Sequence, residues 1–377
     1  MLSSLAPQRM RSQAYSAFSV GRPKLVILVL ISTCALFLLS SLSSLTSQFR
    51  WTKKVVGASE KPYETWDTKP FIKHNGDPAQ IGISTICAGF PKTVLDNVQV
   101  VLKIGASEDM HKVHANLETV TACFENLLIF SDFPDRIEQH EVIDILADLP
   151  ASYHKNNPDW AVYEAQKEAK EKGTTGGPGI EGWKLDRFKF LPMVEKSYAL
   201  RPDAAWYIYL EADTYISWDN LFRFLDHFDP ESSVYMGSPV PGSYGRWFAH
   251  GGSGIVLSNG ALKKFLARET DENGDFIEPS VGEKFEGMAK SDCCGDAVLA
   301  YAMVEKGIRL SGYFPLFNGD NSEGMRLTED KWCMPITTLH HINQDEMHAL
   351  WTWEMRRTNV EVCHLLIGKS EGNRRNS

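Results

Sequence analysis

Apolar residues along this chain form short continuous runs that alternate with segments of helical spacing. Residues 98–104 and 127–130 are continuous apolar runs, which is typical of buried parallel strands. A helix-like stretch over 110–123 lies between them. This β-α-β opening predicts an α/β fold with a mainly parallel sheet covered by helices.

Later segments continue the same alternation of short strands and helices. Further helices are predicted over 137–149, 161–172, 183–200, 218–228 and 292–307, and further strands over 206–210 and 234–236. Residues 150–182 include the run GTTGGPGIEG and are interpreted as a flexible functional loop or insertion.

The N-terminal residues have a different pattern. Residues 1–24 carry arginine and lysine but no acid, and residues 25–45 contain no charge. This predicts a cytosolic tail followed by a transmembrane signal anchor in the type II orientation. The alternative is a cleaved signal peptide, although no A-x-A-like site follows the apolar run. Residues 46–94, which are polar and contain several prolines, are interpreted as a lumenal stem.

Charge and cysteine content narrow the classes of function. The net charge is −9 and no long basic run occurs beyond the N-terminus, so nucleic acid is not expected as a partner. Cys34 lies in the predicted span and the other six cysteines follow it, which permits up to three disulfides in fifteen full pairings. No C-x-x-C pair occurs, so a zinc site is not indicated.

The strand over 206–210 ends at two acids, Glu211 and Asp213, with Ala212 between them. Carboxylates at a strand end lie near the sheet edge where open α/β sheets bind ligands. Oxygen ligands of this kind suit Mg²⁺ or Mn²⁺, which would hold a diphosphate. The alternative is a polar turn after a strand.

Three later segments carry candidate chemistry. HGGSGIVLS at 250–258 would let a backbone approach a ligand, or would form a tight turn entering a strand. Asp292 precedes an apolar helix and is interpreted as a helix cap or an acid of the site. The histidine pair in TTLHHI at 337–342 would bind a metal or lie in a polar core.

The order of these segments resembles glycosyltransferase family 31, the group that includes the Fringe and core 1 β-1,3-galactosyltransferases, and in particular its fungal members. The resemblance rests on 185–221, 250–258, 291–308 and 337–342, and it covers roughly residues 95–345. It implies a GT-A domain over 95–345, with a Rossmann-like central sheet and helices on both faces, followed by a C-terminal extension over 346–377. It further implies a Golgi membrane enzyme, with its catalytic domain in the lumen, that transfers a hexose or N-acetylhexosamine from a UDP-sugar with inversion. The expected acceptor is a glycan or glycoprotein hydroxyl, the expected linkage is β-1,3, and Mn²⁺ (or Mg²⁺) is the expected cofactor.

The resemblance also implies roles for individual residues. Glu211 and Asp213 fall on the family's metal motif, where Ala212 lacks the middle acid. His340 falls on a late metal-binding histidine, with His341 as the neighbouring alternative. The remaining positions are carried over as follows: Gly251 and Gly252 beside the sugar site, Asp292 as catalytic base with Asp296 one helical turn on, Lys189 toward a phosphate, and Asp132 toward the uridine or ribose.

Two other functions stay open at this point. The loss of an acid at Ala212 favours a catalytically inactive relative that acts as a binding protein or chaperone. A Golgi lectin without nucleotide binding is the third option. The residues do not define the donor sugar, the acceptor or the oligomeric state.

Overall fold

The computed structural model describes residues 82–173, 181–325, 328, 331 and 334–356. The predicted tail at 1–24, the predicted span at 25–45, most of the predicted stem and residues 174–180 of the glycine-rich segment lie outside the described residues. Within the described ranges, no helix combines the length and the apolar character needed to cross a bilayer.

The described residues form a mixed α/β structure around one large sheet. Its eight strands lie in the order β11-β7-β10-β5-β1-β2-β4-β3. Two-stranded sheets pair β12 with β6 and β8 with β9. The strands are β1 Val98–Lys103, β2 Leu128–Ser131, β3 Asp135–Ile137, β4 His140–Asp144, β5 Trp206–Glu211, β6 Tyr215–Ile216, β7 Tyr235–Gly237, β8 Pro239–Pro241, β9 Trp247–Ala249, β10 Ile255–Ser258, β11 Leu310–Gly312 and β12 Thr338–Leu339.

Eleven α-helices accompany these strands in the described part of the chain. They are α1 Ile83–Ala88, α2 Lys92–Leu95, α3 Met110–Glu118, α4 Trp160–Glu171, α5 Asp186–Leu200, α6 Trp218–Leu225, α7 Asn259–Leu266, α8 Val281–Lys284, α9 Glu286–Ser291, α10 Gly295–Glu305 and α11 Gln344–Arg356. Short 3₁₀ turns at Gly182–Leu185 and Gly251–Ser253 precede α5 and β10.

The centre of the sheet is parallel, as the β-α-β pattern predicts. Strand β1 pairs in parallel with both β2 and β5, and β2 pairs in parallel with β4. Every residue of β1 is buried, and so is β5 up to its last residue, which is why both read as continuous apolar runs. Strand β10 is antiparallel to β5 and to β7, so the sheet is mixed on that side.

The helix predicted over 137–149 is wrong. Strands β3 and β4 occupy its first part, and β4 pairs in parallel with β2. The local pattern is ambiguous because Val142, Ile145 and Leu146, all buried, also have helical spacing. Strand pairing with β2 and burial of Val142 against the sheet determine the structure, since tertiary context overrides local propensity.

Ordered structure extends past both predicted ends of the catalytic domain. Helices α1 and α2 precede residue 95, Val94 is fully buried, and Cys87 forms a disulfide with Cys123. At the other end, α11 crosses the predicted boundary between 345 and 346 and packs against α3. A second disulfide joins Cys293 to Cys294, whereas Cys333 and Cys363 lie outside the described residues.

Candidate active site

The acids after β5 lie at the sheet edge formed by the ends of β1, β2 and β5. Lys103, the last residue of β1, is the register partner of Glu211, the last residue of β5. The chain then turns at Asp213 into β6, and the turn is braced by Thr214, whose hydroxyl accepts from the Glu211 N–H and donates to the Gly252 carbonyl. Parallel pairing therefore places the sequence-predicted acids at the edge where such sheets bind ligands.

Asp213 and His340 are brought together by the pairing of β12 with β6. The register places Leu339 opposite Tyr215, so the segment after β12, with His340, lies beside the segment before β6, with Asp213. The His340 Nε2 lies 3.2 Å from Asp213 Oδ1 and 3.7 Å from Glu211 Oε2. The late histidine and the strand-end acids therefore lie together.

His341 completes a group of possible metal ligands. One ligand atom each from Asp213, His340 and His341 lies within 4.8 Å of the others. His341 has a φ of 56°, a left-handed conformation that is uncommon outside glycine, and its ring centroid lies 3.9 Å from that of His340. This backbone turn lets two consecutive histidines approach the same acid.

The residues fit a divalent cation. One carboxylate and two imidazoles form a mixed oxygen and nitrogen donor set, which suits a first-row transition ion such as Mn²⁺ better than Mg²⁺. The His340 Nδ1 is buried and has no hydrogen-bond partner among the described residues. Gly252 borders the His340 ring so closely that a Cβ at this position would collide with the imidazole. The glycine therefore makes room for the histidine beside the acids.

Electrostatics in this cluster favour the charged forms. Burial opposes the imidazolium, but Asp213 and Glu211 outweigh it and raise the pKa of His340 to about 9. Burial would raise the pKa of Asp213, yet His340 and Lys112 hold it below the usual value. Burial acts on Glu211 in the same way, and Lys103 and His340 lower its pKa to about 2. Without a bound ion, protein cations neutralise both acids.

Glu211 is tied to the interior more tightly than Asp213 is. Its Oε1 lies 3.1 Å from the Nζ of Lys103, whose side chain is 6% exposed. Lys103 also forms an ion pair with Asp186 at the start of α5. Burial would lower the pKa of Lys103, but Asp186 and Glu211 raise it above its usual value.

Lys189 and Asp132 lie deeper in the same network. The Nζ of Lys189 contacts Asp186 Oδ1 at 3.0 Å, Asp132 Oδ1 at 3.3 Å and the Ile104 carbonyl at 3.0 Å. Three partners use all three donors of a lysine. Asp132 is fully buried and accepts from Ala106 N at 2.7 Å and from Gln166 at 2.9 Å. A direct contact of either side chain with a nucleotide would require this network to open.

Joined together, these ion pairs form an alternating chain of opposite charges, which we call the charge chain. Each member contacts the next, from the buried interior to the partly exposed edge. Its order is Asp132, Lys189, Asp186, Lys103, Glu211, His340, Asp213 and Lys112.

Asp296, rather than Asp292, reaches this cluster. Asp296 is in the first turn of α10, and its Oδ2 accepts from the Gly251 N–H at 2.8 Å. Gly251 immediately precedes the glycine that borders His340. Burial raises the pKa of Asp296 to about 6, with Glu211 contributing in the same direction. This carboxylate has the environment expected of a general base.

Asp292 makes a different set of contacts. It is the C-cap residue of α9, and its Oδ1 accepts from the Cys294 N–H at 3.1 Å. Its carbonyl accepts from Arg187, which forms an ion pair with Asp159. These contacts support the loop before α10, whose N-cap is Cys294, and none of them involves the charge chain.

The sequence pattern does not single out four residues of the site. Lys103 ends an apolar strand, Asp186 begins a helix, and Lys112 occupies the first turn of α3, all common positions for charged residues. Only Lys103 carried a signal, because a lysine within a fully buried strand needs a partner. Asp296 was noted only as a neighbour of Asp292.

Residues 184–312 match a family model described as Fringe-like. Over this range the chain is similar to the Fringe-like family. The Fringe-like range contains Asp186, Glu211, Asp213, Gly251 and Asp296 and ends with β11. The resemblance to glycosyltransferase family 31 is confirmed here, whereas His340 and Lys112 lie outside the matched residues.

Solved structures of two glycosyltransferases also match the chain. One is involved in the glycosylation of the major capsid of PBCV-1; it is 11% identical over 68% of this chain and 99% of that chain, with a TM-score of 0.33. The other is the glycosyltransferase GlyE in Streptococcus pneumoniae TIGR4; it is 12% identical over 69% of this chain and 60% of that chain, with a TM-score of 0.32.

Proposed function

We propose that this protein is a metal-dependent glycosyltransferase of the GT-A type that transfers a sugar from a UDP-sugar to a hydroxyl group with inversion. The observation that carries the proposal is the juxtaposition of the Asp213–His340 pair with Asp296 across Gly251 and Gly252. The Fringe-like match over 184–312 supports a glycosyltransferase.

The leaving-group side of the site is the cluster around Asp213. Asp213, His340 and His341 would hold the cation, and Glu211, which Lys103 holds in place, faces the same imidazole. A divalent cation bound there supplies positive charge for the diphosphate as the glycosidic bond breaks. Gly251 and Gly252, which we place beside the sugar, have no Cβ, and this lets the Phe190 and His340 rings pack against them at the edge of the site.

On the opposite side we assign the base to Asp296. Its carboxylate takes the proton of the acceptor hydroxyl, and the acceptor oxygen forms the new bond to the anomeric carbon of the sugar. The bond from that carbon to the diphosphate breaks, and UDP leaves with the electron pair. One displacement of this kind inverts the anomeric configuration. A pKa of about 6 for Asp296 keeps the base ionised near neutral pH without making it too weak to accept a proton.

The catalytically inactive relative is the second candidate, and it rests on Ala212. The structure offers an argument against it, because Ala212 is 2% exposed and the Asp213–His340 cluster forms without an acid at that position. The carbonyl of Ala212 accepts from Asn116, which helps to hold the acidic turn.

The proposal extends to the setting of the reaction. The basic N-terminus and the uncharged run at 25–45 support a single-pass type II protein of the Golgi membrane with its catalytic domain in the lumen. A glycan or glycoprotein acceptor, a hexose or N-acetylhexosamine donor and a β-1,3 linkage follow from the resemblance to family 31.

A donor screen on the full-length chain tests the proposal. UDP release from a panel of UDP-sugars is measured with Mn²⁺, with Mg²⁺ and with EDTA. We expect release with at least one donor, faster with Mn²⁺ than with Mg²⁺, and its loss in EDTA. A chain that binds UDP with Mn²⁺ but releases none from any donor would favour the inactive relative. No UDP binding at all would exclude the enzyme.

A further inference from the structure

Lys112 is the outermost cation of the charge chain. Its Nζ lies 2.9 Å from Asp213 Oδ2, on the carboxylate whose other oxygen faces His340. We propose, building on the function proposed above, that Lys112 is an exchangeable counterion: it neutralises Asp213 in the free protein and moves to the donor diphosphate when a cation and a UDP-sugar bind.

Two of the three lysines of the charge chain are held by partners in the interior. Lys189 uses all three of its donors in the interior, and Lys103 lies between Asp186 and Glu211. Their side chains are 1% and 6% exposed, so neither can reach a bound ligand without disrupting buried ion pairs. The side chain of Lys112 is 34% exposed, and Asp213 Oδ2 is its only hydrogen-bond acceptor among the described contacts.

Open space lies beside Lys112. Lys112 lines a cavity of about 400 Å³ with Asp109, His111 and the start of α11 at Asn343, Gln344 and Asp345. This cavity adjoins the metal cluster, because Ile342, next to Asn343, donates its N–H to the Asp213 carbonyl. A long lysine side chain beside open space can change rotamer without displacing packed atoms.

A cation bound at Asp213 would change the charge balance around Lys112. A divalent cation on Asp213 and an ammonium group on the same carboxylate repel each other, so cation binding weakens the Lys112–Asp213 pair. A diphosphate held by that cation presents oxygens that accept from an ammonium group. The two events together favour transfer of Lys112 from the acid to the phosphate. The lysine therefore opposes binding of the cation alone and supports binding of the cation with the nucleotide.

This proposal predicts effects of opposite sign in one variant. In Lys112→Met, we expect Mn²⁺ alone to bind roughly threefold more tightly or better, because a competing cation is removed. We expect UDP in saturating Mn²⁺ to bind roughly tenfold more weakly or worse, as loss of a charge-assisted hydrogen bond implies. Mn²⁺ affinity is measured from the free-ion EPR signal, and UDP affinity by calorimetry, both on the full-length chain.

Two further variants define the comparison. Lys112→Arg keeps the charge and should retain most of the UDP affinity. Lys263→Met removes another lysine of a 3.0 Å ion pair, with Glu231 at the surface, and should change neither affinity. A melting curve without ligand is recorded for each protein, and Lys112→Gln provides the neutral variant if Lys112→Met does not fold.

The outcomes separate the two proposals. Tighter Mn²⁺ with weaker UDP in Lys112→Met supports the exchange. If wild type binds Mn²⁺ and UDP but Lys112→Met weakens both, or leaves UDP affinity unchanged, the exchange is wrong and the proposed function stands. If wild type binds neither ligand, the proposed function is wrong and the exchange falls with it.

Discussion

The inner and outer halves of the charge chain use the same residue types for different purposes. In the inner half, the side chains of Asp132, Lys189 and Lys103 are at most 6% exposed, that of Asp186 is 39% exposed, and Lys189 and Asp132 are saturated with partners. The outer half, Glu211, His340, Asp213 and Lys112, has side-chain exposures between 7% and 34%. It also holds the buried Nδ1 of His340, which has no hydrogen-bond partner within the described part of the chain.

This difference shows why position at a sheet edge does not by itself define a ligand contact. Asp132 and Asp213 both follow parallel strands at the same edge, yet only Asp213 is partly exposed beside histidines. A buried ion pair is costly to form and more costly to break, so the inner half is suited to holding three segments together. The outer half has the groups that can exchange partners.

Removing the central acid of the outer half should have the largest effect. We expect Asp213→Ala to reduce kcat/KM about 10⁴-fold, since it removes the carboxylate that connects His340, Lys112 and the expected cation. The measurement is UDP release with Mn²⁺, together with Mn²⁺ binding. Asp148→Ala, at a side chain that is 85% exposed, is the control and should retain wild-type activity. Retained Mn²⁺ binding in Asp213→Ala would contradict the assignment of this acid.

The inner half should respond in stability instead. Lys189→Met leaves Asp132 without its buried cation and leaves Asp186 with Lys103 alone, and it should lower the free energy of unfolding by about 3–5 kcal/mol. Lys196→Met, on the same helix but in an exposed pair with Asp148, should lower it by less than about 1 kcal/mol. Thermal melting of both variants checks the difference. Equal melting temperatures would mean that the inner half is not the scaffold described here.

The two candidate bases can be separated kinetically. Asp296→Asn should reduce kcat about 10²- to 10³-fold with nearly unchanged UDP affinity, because a base acts in the chemical step. Asp292→Asn should change kcat little, since Asp292 supports a loop. A larger loss of kcat in Asp292→Asn than in Asp296→Asn would identify Asp292 as the base.

The pH dependence supplies a second measure of the same base. A base must be ionised to accept a proton, and burial raises the pKa of Asp296 to about 6. Wild-type kcat should therefore rise with pH through about 6 and level off above it, and the residual activity of Asp296→Asn should lack this rise. A wild-type profile that is flat between pH 5 and 7 would argue against Asp296.

The smallest expected effect concerns the fit of the outer half. Gly252→Ala places a Cβ against the His340 ring and should weaken Mn²⁺ binding roughly tenfold to a hundredfold, because the imidazole must shift. Gly287→Ala, in α9, meets no atom within 4 Å and should be neutral or slightly stabilising. Mn²⁺ titration and melting of the two variants compare them, and unchanged Mn²⁺ affinity in Gly252→Ala would remove His340 from the ligand set.

Several parts of this protein are determined by the local sequence. The continuous apolar runs of β1 and β5 predict buried parallel strands, because a strand covered on both faces has no polar side. The acids at the end of β5 predict chemistry at that edge, and the order of motifs indicates a resemblance that the Fringe-like match over 184–312 supports.

Other features were decided only by the tertiary structure. Segment 137–149 has apolar residues at helical spacing, yet its residues 140–144 form strand β4, which pairs with β2 in the sheet. Asp292 and Asp296 are both acids near a helix start, and only the packing of α10 beside Gly251 brings one of them to the site. Lys112 meets Asp213 from 101 residues away in the chain. Short-range patterns predict how a segment is buried, but long-range packing determines which charged side chains form ion pairs. The chemistry of this site depends on those ion pairs.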